Sequence, residues 1–442
     1  MKRFLSILLA ILMLAVMLPV TAMAEENYVM ISGIKGVESE KYASFEAAYN
    51  AIKPKLEALC KSDALGQGGT TAEEFDALFP TRDENGNATL TYTICGNITY
   101  DESNLANLLT FGRRASHYGN DRHLINFRFV GATGRDSDTL TVNSDITLPY
   151  EWWGEKTTTS ISFENLTITG TAPNGLYPTQ KFFEGINFKV DNCKLEGIKI
   201  YNCSNVGGSY TITNNIFDGT NAPQDAYAIH LQGNETAPLT INISNNTISG
   251  YDRGINIDQK TAAATISNNN ISVKDAGRSC IQLTQLASTK VENNTMNLTG
   301  GNAITLHEEL LNCAKPEITV SGNTINGTGY LIYDDSKGAF TNENLNLTIT
   351  NDNTVDKTVD TTQGVKDGEI HPLNGFVKTT VENNVVPGGS TGGTIVIITP
   401  TEDTPKTEPE KNPTTGANDV VAAAVALMAV SALGAAVLTR KK

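Results

Sequence analysis

Three short stretches decide how this chain folds: Ile243-Ser244-Asn245-Asn246-Thr247-Ile248, Ile266-Ser267-Asn268-Asn269-Asn270-Ile271 and Val291-Glu292-Asn293-Asn294-Thr295-Met296. Each ends a short alternating strand, turns through asparagine and restarts on an aliphatic residue. The same order recurs around Asn165, Asn192 and Asn215 upstream, and around Asn323, Asn353 and Asn384 downstream, at intervals of 23 to 31 residues. A supersecondary unit of that length, repeated at near-constant spacing, is the signature of a solenoid. Strand-type alternation, β-branched residues and Asn-Gly turns exclude a helical repeat. Each repeat is then one coil of short strands, and successive coils hydrogen-bond at a rise of roughly 4.8 Å.

Asparagine suits the corner because it tolerates the left-handed backbone conformation. Its amide can also bond the same amide in the coils above and below, so a column of Asn satisfies itself where unpaired polar groups would be costly. The apolar residue that follows (Ile216, Ile248, Ile271, Met296 and Ile325) is expected to stack inward.

Asn ladder and repeat together resemble the right-handed parallel β-helix family that includes the pectate lyases, over roughly residues 125 to 386. The resemblance implies an all-β fold, a right-handed parallel β-helix (solenoid), and handedness also follows from the general crossover preference. It is informative about architecture and not about reaction. The expected organisation is a leader at 1–24, an N-terminal cap region at 25–123, the parallel β-helix at 124–386, a disordered Gly/Thr/Pro-rich stalk at 387–411 and a terminal signal at 412–442. In the cap, Phe45, Ala48, Tyr49, Ile52, Leu56 and Leu59 recur at helical spacing, with Ser44 as N-cap and Pro54 as a point of kinking. Residues 61 to 85, polar and Gly-rich, read as an insertion.

The chain ends point to a compartment. Lys2 and Arg3, an apolar run from Phe4 to about Val20, and Ala22-Met23-Ala24 form a secretory signal peptide with cleavage expected after Ala24. At the other end Asn412, Pro413, Thr414, Thr415 and Gly416 precede an apolar run from Val420 to Leu438 and the bases Arg440, Lys441 and Lys442. A run of that length can cross a bilayer as a transmembrane helix, with the basic tail on the cytoplasmic side. This layout resembles the sortase cell-wall sorting signals of Gram-positive surface proteins, although the commonest motif starts with Leu where Asn412 stands. The resemblance implies two partners: a sortase that cleaves after Thr415, and peptidoglycan as the covalent acceptor.

Formal charge is −15, and removing both signals leaves 28 bases against 47 acids, a net of −19. That disfavours nucleic acid as a partner. Six cysteines, at 60, 95, 193, 203, 280 and 313, show no metal-ligand spacing. Cys193, Cys203 and Cys280 fall inside repeats, where buried free thiols are expected.

A second strand in each coil gives the candidate site. Aligning segments from Ile229, Ile255, Ile281, Ile304 and Tyr330 puts those residues inward together with Leu231, Ile257, Leu283, Leu306 and Ile332. The outward columns are then His230, Asn256, Gln282, Thr305, Leu331 and Gln232, Asp258, Thr284, His307, Tyr333, flanked by Arg253, Arg278, Glu308, Asp334 and Asp335. Read as a ligand face, His230, Arg253, Asn256, Arg278, Gln282, His307 and Tyr333 would bond and stack on an extracellular polysaccharide or host glycan. Asp258, Glu308 and Asp334 are the catalytic candidates if the protein is a glycoside hydrolase or polysaccharide lyase. Clustered carboxylates can also hold Ca²⁺. The Asn-Thr-Asp, Asp-Asp and Gly-His-Gly set of polygalacturonases is not present in order, and Trp152-Trp153 reads as a packed cap or insertion rather than a sugar platform. The preferred reading is a binding protein; a wall-anchored enzyme is the alternative.

Overall fold

The computed structural model describes residues 27–59, 72–84, 86–100, 125–143, 158–172, 175–176, 185–203, 207–233, 238–341, 343–350, 352–360, 363–366, 369–372 and 377–378. The chain divides into two compact units, 1–399 and 400–442, and everything described lies in the first. The leader, Cys60, Trp152-Trp153, Asn384, the stalk and the C-terminal signal lie outside the described residues. Among those described, no helix is long and apolar enough to cross a membrane.

The repeats become the coils of a right-handed parallel β-helix. A first face of parallel strands runs through Ala88–Cys95, Ile125–Gly131, Thr158–Glu164, Gly185–Asp191, Gly207–Thr213, Leu239–Ser244, Ala262–Ser267, Ser288–Glu292, Glu317–Ser321 and Asn346–Ile349. A second face of shorter strands follows the Asn corner in each coil, as in Ile216–Asp218, Thr247–Ser249 and Asn270–Ser272. The third face starts at Ile200–Cys203 and continues through Tyr227–Gly233, Arg253–Gln259 and Ser279–Gln285. It then runs into the last parts of Thr295–Leu306 and Thr324–Asp334, two long strands that serve both faces.

The stack starts earlier than residue 124. Ala88–Cys95 pairs in parallel with Ile125–Gly131, and Asn97–Tyr100 with Thr139–Val142, so one coil of the helix lies inside the stretch expected to be cap. Its open edge is closed by Tyr28–Ser32, which adds antiparallel to Ala88–Cys95 and denies a further strand that edge. Helix α1 (Phe45–Leu59) runs through Pro54, and the Ser44 hydroxyl accepts the Ala47 N–H at 3.1 Å, as an N-cap should. Its buried side is Phe45, Ala48, Tyr49 and Ile52; the side chains of Leu56 and Leu59 are outside the described residues. Helix α2 (Ala72–Leu78) lies within the segment read as an insertion, yet Phe75 and the following Phe79 are fully buried with ring centroids 4.7 Å apart. It is part of the cap. Two aromatics four residues apart carried that signal, and the polar surroundings masked it.

The marker asparagines fall into two columns with different work. Asn165, Asn192, Asn214, Asn245, Asn268 and Asn293 hold φ between 53° and 60°, and Gly322 takes the same place at 63°. These are the left-handed corners. The next residue forms the ladder: Asn215, Asn246, Asn269, Asn294, Asn323 and Asn353, each at most 2 % exposed. In each interior rung the Oδ1 accepts both the backbone N–H and the Nδ2–H of the preceding ladder Asn, at 2.9–3.0 Å. The Nδ2 gives its other hydrogen to a first-face carbonyl of the preceding coil, such as Ile243 for Asn269. Two donors and two acceptor sites of every interior amide are thus filled. Asn165 and Asn192 therefore belong to the corner column; the ladder positions beside them are Leu166 and Cys193. The Cys193 N–H caps the amide column by donating to Asn215 Oδ1 at 2.8 Å. Cys193 and Cys280 are buried free thiols, and burial pushes each up to about 12; the Cys203 side chain lies outside the described residues.

One expected inward residue is corrected. Ile216 pairs with Thr247 and is half-exposed, whereas Phe217 pairs with Ile248 and is buried. A shift of one residue moves a strand's side chains to the other face, and Ile216-Phe217 offered two apolar neighbours to choose from.

Candidate functional site

The third face carries an isoleucine file, Ile229–Ile255–Ile281–Ile304–Ile332, in register across five coils. Each of these is buried, and so is the residue before it: Ala228, Cys280, Ala303 and Leu331 all have no exposure. Two consecutive inward residues mark the bend from the second face, and there strict alternation fails. Hence the last segment was misaligned by two positions. Ile332, not Tyr330, pairs with Ile304, and Tyr333, not Leu331, pairs with Thr305. Leu331 is buried core, and Tyr330 points out beside Tyr333, with ring centroids 6.1 Å apart. A second misfit comes from a bulge at Thr284, which puts Gln285 opposite Asp258.

The corrected register opens a cleft of about 410 Å³ lined by Tyr227, Arg253, Arg278, Ser279, Gln282, Asn302, Thr305, His307, Tyr330, Tyr333 and Asp335, with Gly277 and Gly300 at its margins. Five of the seven expected ligand residues meet there: Arg253, Arg278, Gln282, His307 and Tyr333. The other two do not line it. His230 is packed between the rings of Tyr201 (5.1 Å) and Tyr227 (4.9 Å). Asn256 is 3 % exposed, and its Oδ1 accepts from Thr284 Oγ1 at 2.8 Å. Tyr227, Ser279, Asn302 and Tyr330 were missed because they precede the bend, where alternation read from the isoleucines loses phase.

The cleft is tied by a polar network. Arg253 makes a two-pronged contact to Asp225 (Nε–Oδ1 3.0 Å, Nη2–Oδ2 2.9 Å), donates Nη1 to the Tyr227 hydroxyl at 2.8 Å, and lies 4.9 Å from that ring's centroid. Tyr227 in turn donates to Gln282 Oε1 at 3.0 Å. Arg278 reaches the same Asp225 at 2.9 Å and Asp275 at 3.3 Å. Asn302 and Ser279 both hold the Thr305 hydroxyl, at 3.1 and 2.5 Å. His307 N-caps a 3₁₀ turn, Glu308–Asn312, with Nδ1 accepting the Glu309 N–H at 3.3 Å. That contact leaves the proton of the neutral ring on Nε2, which lies 3.6 Å from Asp335 Oδ2.

The catalytic candidates are not assembled. Asp334 is fully buried, with its carboxylate accepting from the Ser336 N–H (2.7 Å) and hydroxyl (2.5 Å) and from the Gly338 N–H (3.2 Å). It ties a turn and cannot touch a substrate; the neighbour that faces the cleft is Asp335. Glu308 is exposed on the 3₁₀ turn, and neither it nor Asp258 lines the cleft. Asp258 is half-buried near Glu309 and His307, and burial first, then Glu309, pushes its carboxyl up to about 6. Among the described residues no three His, Cys, Asp or Glu side chains come together as a metal site, so the Ca²⁺ expectation finds no cluster there.

Asp258 gives a pH prediction. Its folded pKa lies above the unfolded value of roughly 3.9, so the folded chain binds more protons between about pH 4 and pH 6. The stability it contributes is full below the unfolded pKa and is lost as pH rises through about 6. His230 acts with opposite sign. Burial holds it down at about 4, so its stabilisation is present at neutral pH and lost as pH falls from roughly 6.5 toward 4. Thermal melts from pH 4 to 7 are expected to show Asp258→Asn more stable than the parent near pH 7, with that advantage shrinking toward pH 4. An advantage that grows on acidification would contradict the assignment.

A family model described as a right handed beta helix region matches residues 196–386. That span includes the whole cleft and all six asparagines of the ladder. No curated protein and no solved structure matches the chain.

Proposed function

We propose that this is an exported surface protein that binds a glycan or matrix polysaccharide in the third-face cleft, non-catalytically, while tethered to peptidoglycan by a sortase acting between Thr415 and Gly416. The observation that carries the binding reading is the cleft itself. Three tyrosines, the side-chain amides of Gln282 and Asn302 and two guanidiniums converge on one concave strip of the third face. Aromatic faces stack on sugar rings while amides and guanidiniums bond hydroxyls, which is the division of labour a saccharide site needs. Because the cleft spans successive coils, it suits an extended polymer.

Binding is tested on glycan arrays and soluble oligosaccharides. Tyr333→Ala is expected to weaken binding roughly tenfold, equivalent to about 1.4 kcal/mol, with an unchanged melting temperature. An unaltered affinity would remove the cleft from the reading. The tether is tested by cell fractionation. Wall-digesting enzyme should release a chain starting at Glu25 and ending at Thr415, and a Thr415→Ala chain should leave the wall fraction. A wild-type chain that is extracted by detergent alone with its tail intact would instead be a membrane protein.

The raised carboxyl of Asp258, near Glu309 and the cleft residue His307 though not itself in the lining, favours one second reading, a glycoside hydrolase. New reducing ends from a bound glycan, absent with Asp258→Ala, would establish it over simple binding.

A further inference from the structure

The ligand class follows from where the cleft's charges are already spent, on the premise that the cleft binds a glycan. The arginines lining it are Arg253 and Arg278, and Asp335 lines it too, 3.6 Å from His307 Nε2. Both guanidiniums are held by carboxylates of the protein itself. Asp225 bridges them, two-pronged to Arg253 and at 2.9 Å to Nη2 of Arg278, and Asp275 takes Nε of Arg278 at 3.3 Å. The two guanidiniums thus share Asp225 and Asp275, and a third carboxylate, Asp335, lines the same cleft, in a chain of net charge −15. A ligand carboxylate or sulfate would have to compete with fixed carboxylates for the same cations and meet their repulsion at short range. A hydroxyl has no such conflict, since a guanidinium engaged on one edge still has N–H groups to donate.

Asp225 is built to stay where it is. Its φ is +63°, its own N–H donates to the Asp252 carboxylate, and Lys274 balances Asp252 at 3.3 Å. We propose that the cleft selects a neutral glycan over uronate and sulfated polymers, and that Asp225 is the residue that sets this choice.

Asp225→Asn isolates the charge. Asparagine tolerates the left-handed conformation at least as well as aspartate, so the backbone is kept. Titration calorimetry on the full chain would use neutral gluco-, manno- and galacto-oligosaccharides against oligogalacturonate and a sulfated oligosaccharide, at low and high salt. The parent is expected to bind a neutral series with an affinity that salt leaves unchanged. Asp225→Asn should gain about tenfold or more for oligogalacturonate, and added salt should erase that gain. Asp275→Asn, which removes one of the two carboxylates on Arg278 and leaves Asp225 in place, should gain less. A parent that prefers the anionic probes overturns this inference and leaves the glycan reading standing. Asp225→Asn with a parental anionic affinity removes Asp225 from the role. No binding to any probe overturns both readings.

Discussion

Replacing Asn269 with alanine is expected to lower stability by about 4–6 kcal/mol, while replacing its neighbour Asn268 with glycine changes it by only a few tenths. Asn269 is fully enclosed in the ladder. Its loss strips the acceptor from the Asn246 N–H and Nδ2, and the donor from the Ile243 carbonyl, all buried. Each buried group left unpaired costs about 1–3 kcal/mol, and water cannot reach them to compensate. Asn268 is exposed, and its value lies in a φ of 56° that glycine adopts freely. Asn268→Val should cost about 1–2 kcal/mol for the left-handed backbone alone. Denaturant unfolding of the four proteins checks the order. Equal losses at the two positions would mean that the ladder is no more than a row of turn residues.

Phe129→Ala should be the most damaging change in the N-terminal coils, by about 3–5 kcal/mol for the truncation. Phe129 pairs in register with Tyr92 and Phe163, and its ring stacks on both, at 5.1 Å and 14° and at 5.0 Å and 9°. Such ring pairs add about 0.5–1.5 kcal/mol each beyond the area they bury. Phe129 also meets Phe45 of α1 at 6.4 Å, so the cavity opens beneath the cap. The expected phenotype is therefore regional as well as large: hydrogen exchange should accelerate in α1 and the first coils before it does in the coils of the Asn ladder. In a solenoid each coil contacts only its neighbours, so loss at one end need not propagate. Uniform acceleration along the chain would argue against that independence.

Much of this architecture was legible from the repeat. The Asn marker set the coil length, the β-branched alternation set the strand type, and Ser44 with Phe45, Ala48, Tyr49 and Ile52 announced the capping helix. The division of labour between Asn268 and Asn269 was not legible, because either of two adjacent asparagines satisfies the pattern. In the folded chain they differ in φ and in what the amides touch. Cap helix α2 escaped for a related reason: two phenylalanines in a polar stretch are too few to set a period.

The candidate site was half legible. Gln282, His307 and Tyr333 follow from placing outward residues along the aligned strands, and Arg253 and Arg278 from their place just before those strands. Tyr330 and Asp334 exchanged roles once the bend placed two inward residues in succession, Leu331 and Ile332, which shifted the strand's phase. Sequence by itself determined that the chain coils and which residues recur once per coil, because these are properties of spacing along one strand. Tertiary structure alone decided which residues stand side by side across coils, and so the cleft, its paired arginines and its tyrosines. Register between strands is set by hydrogen bonds and bulges that belong to two segments at once, and no single segment records them.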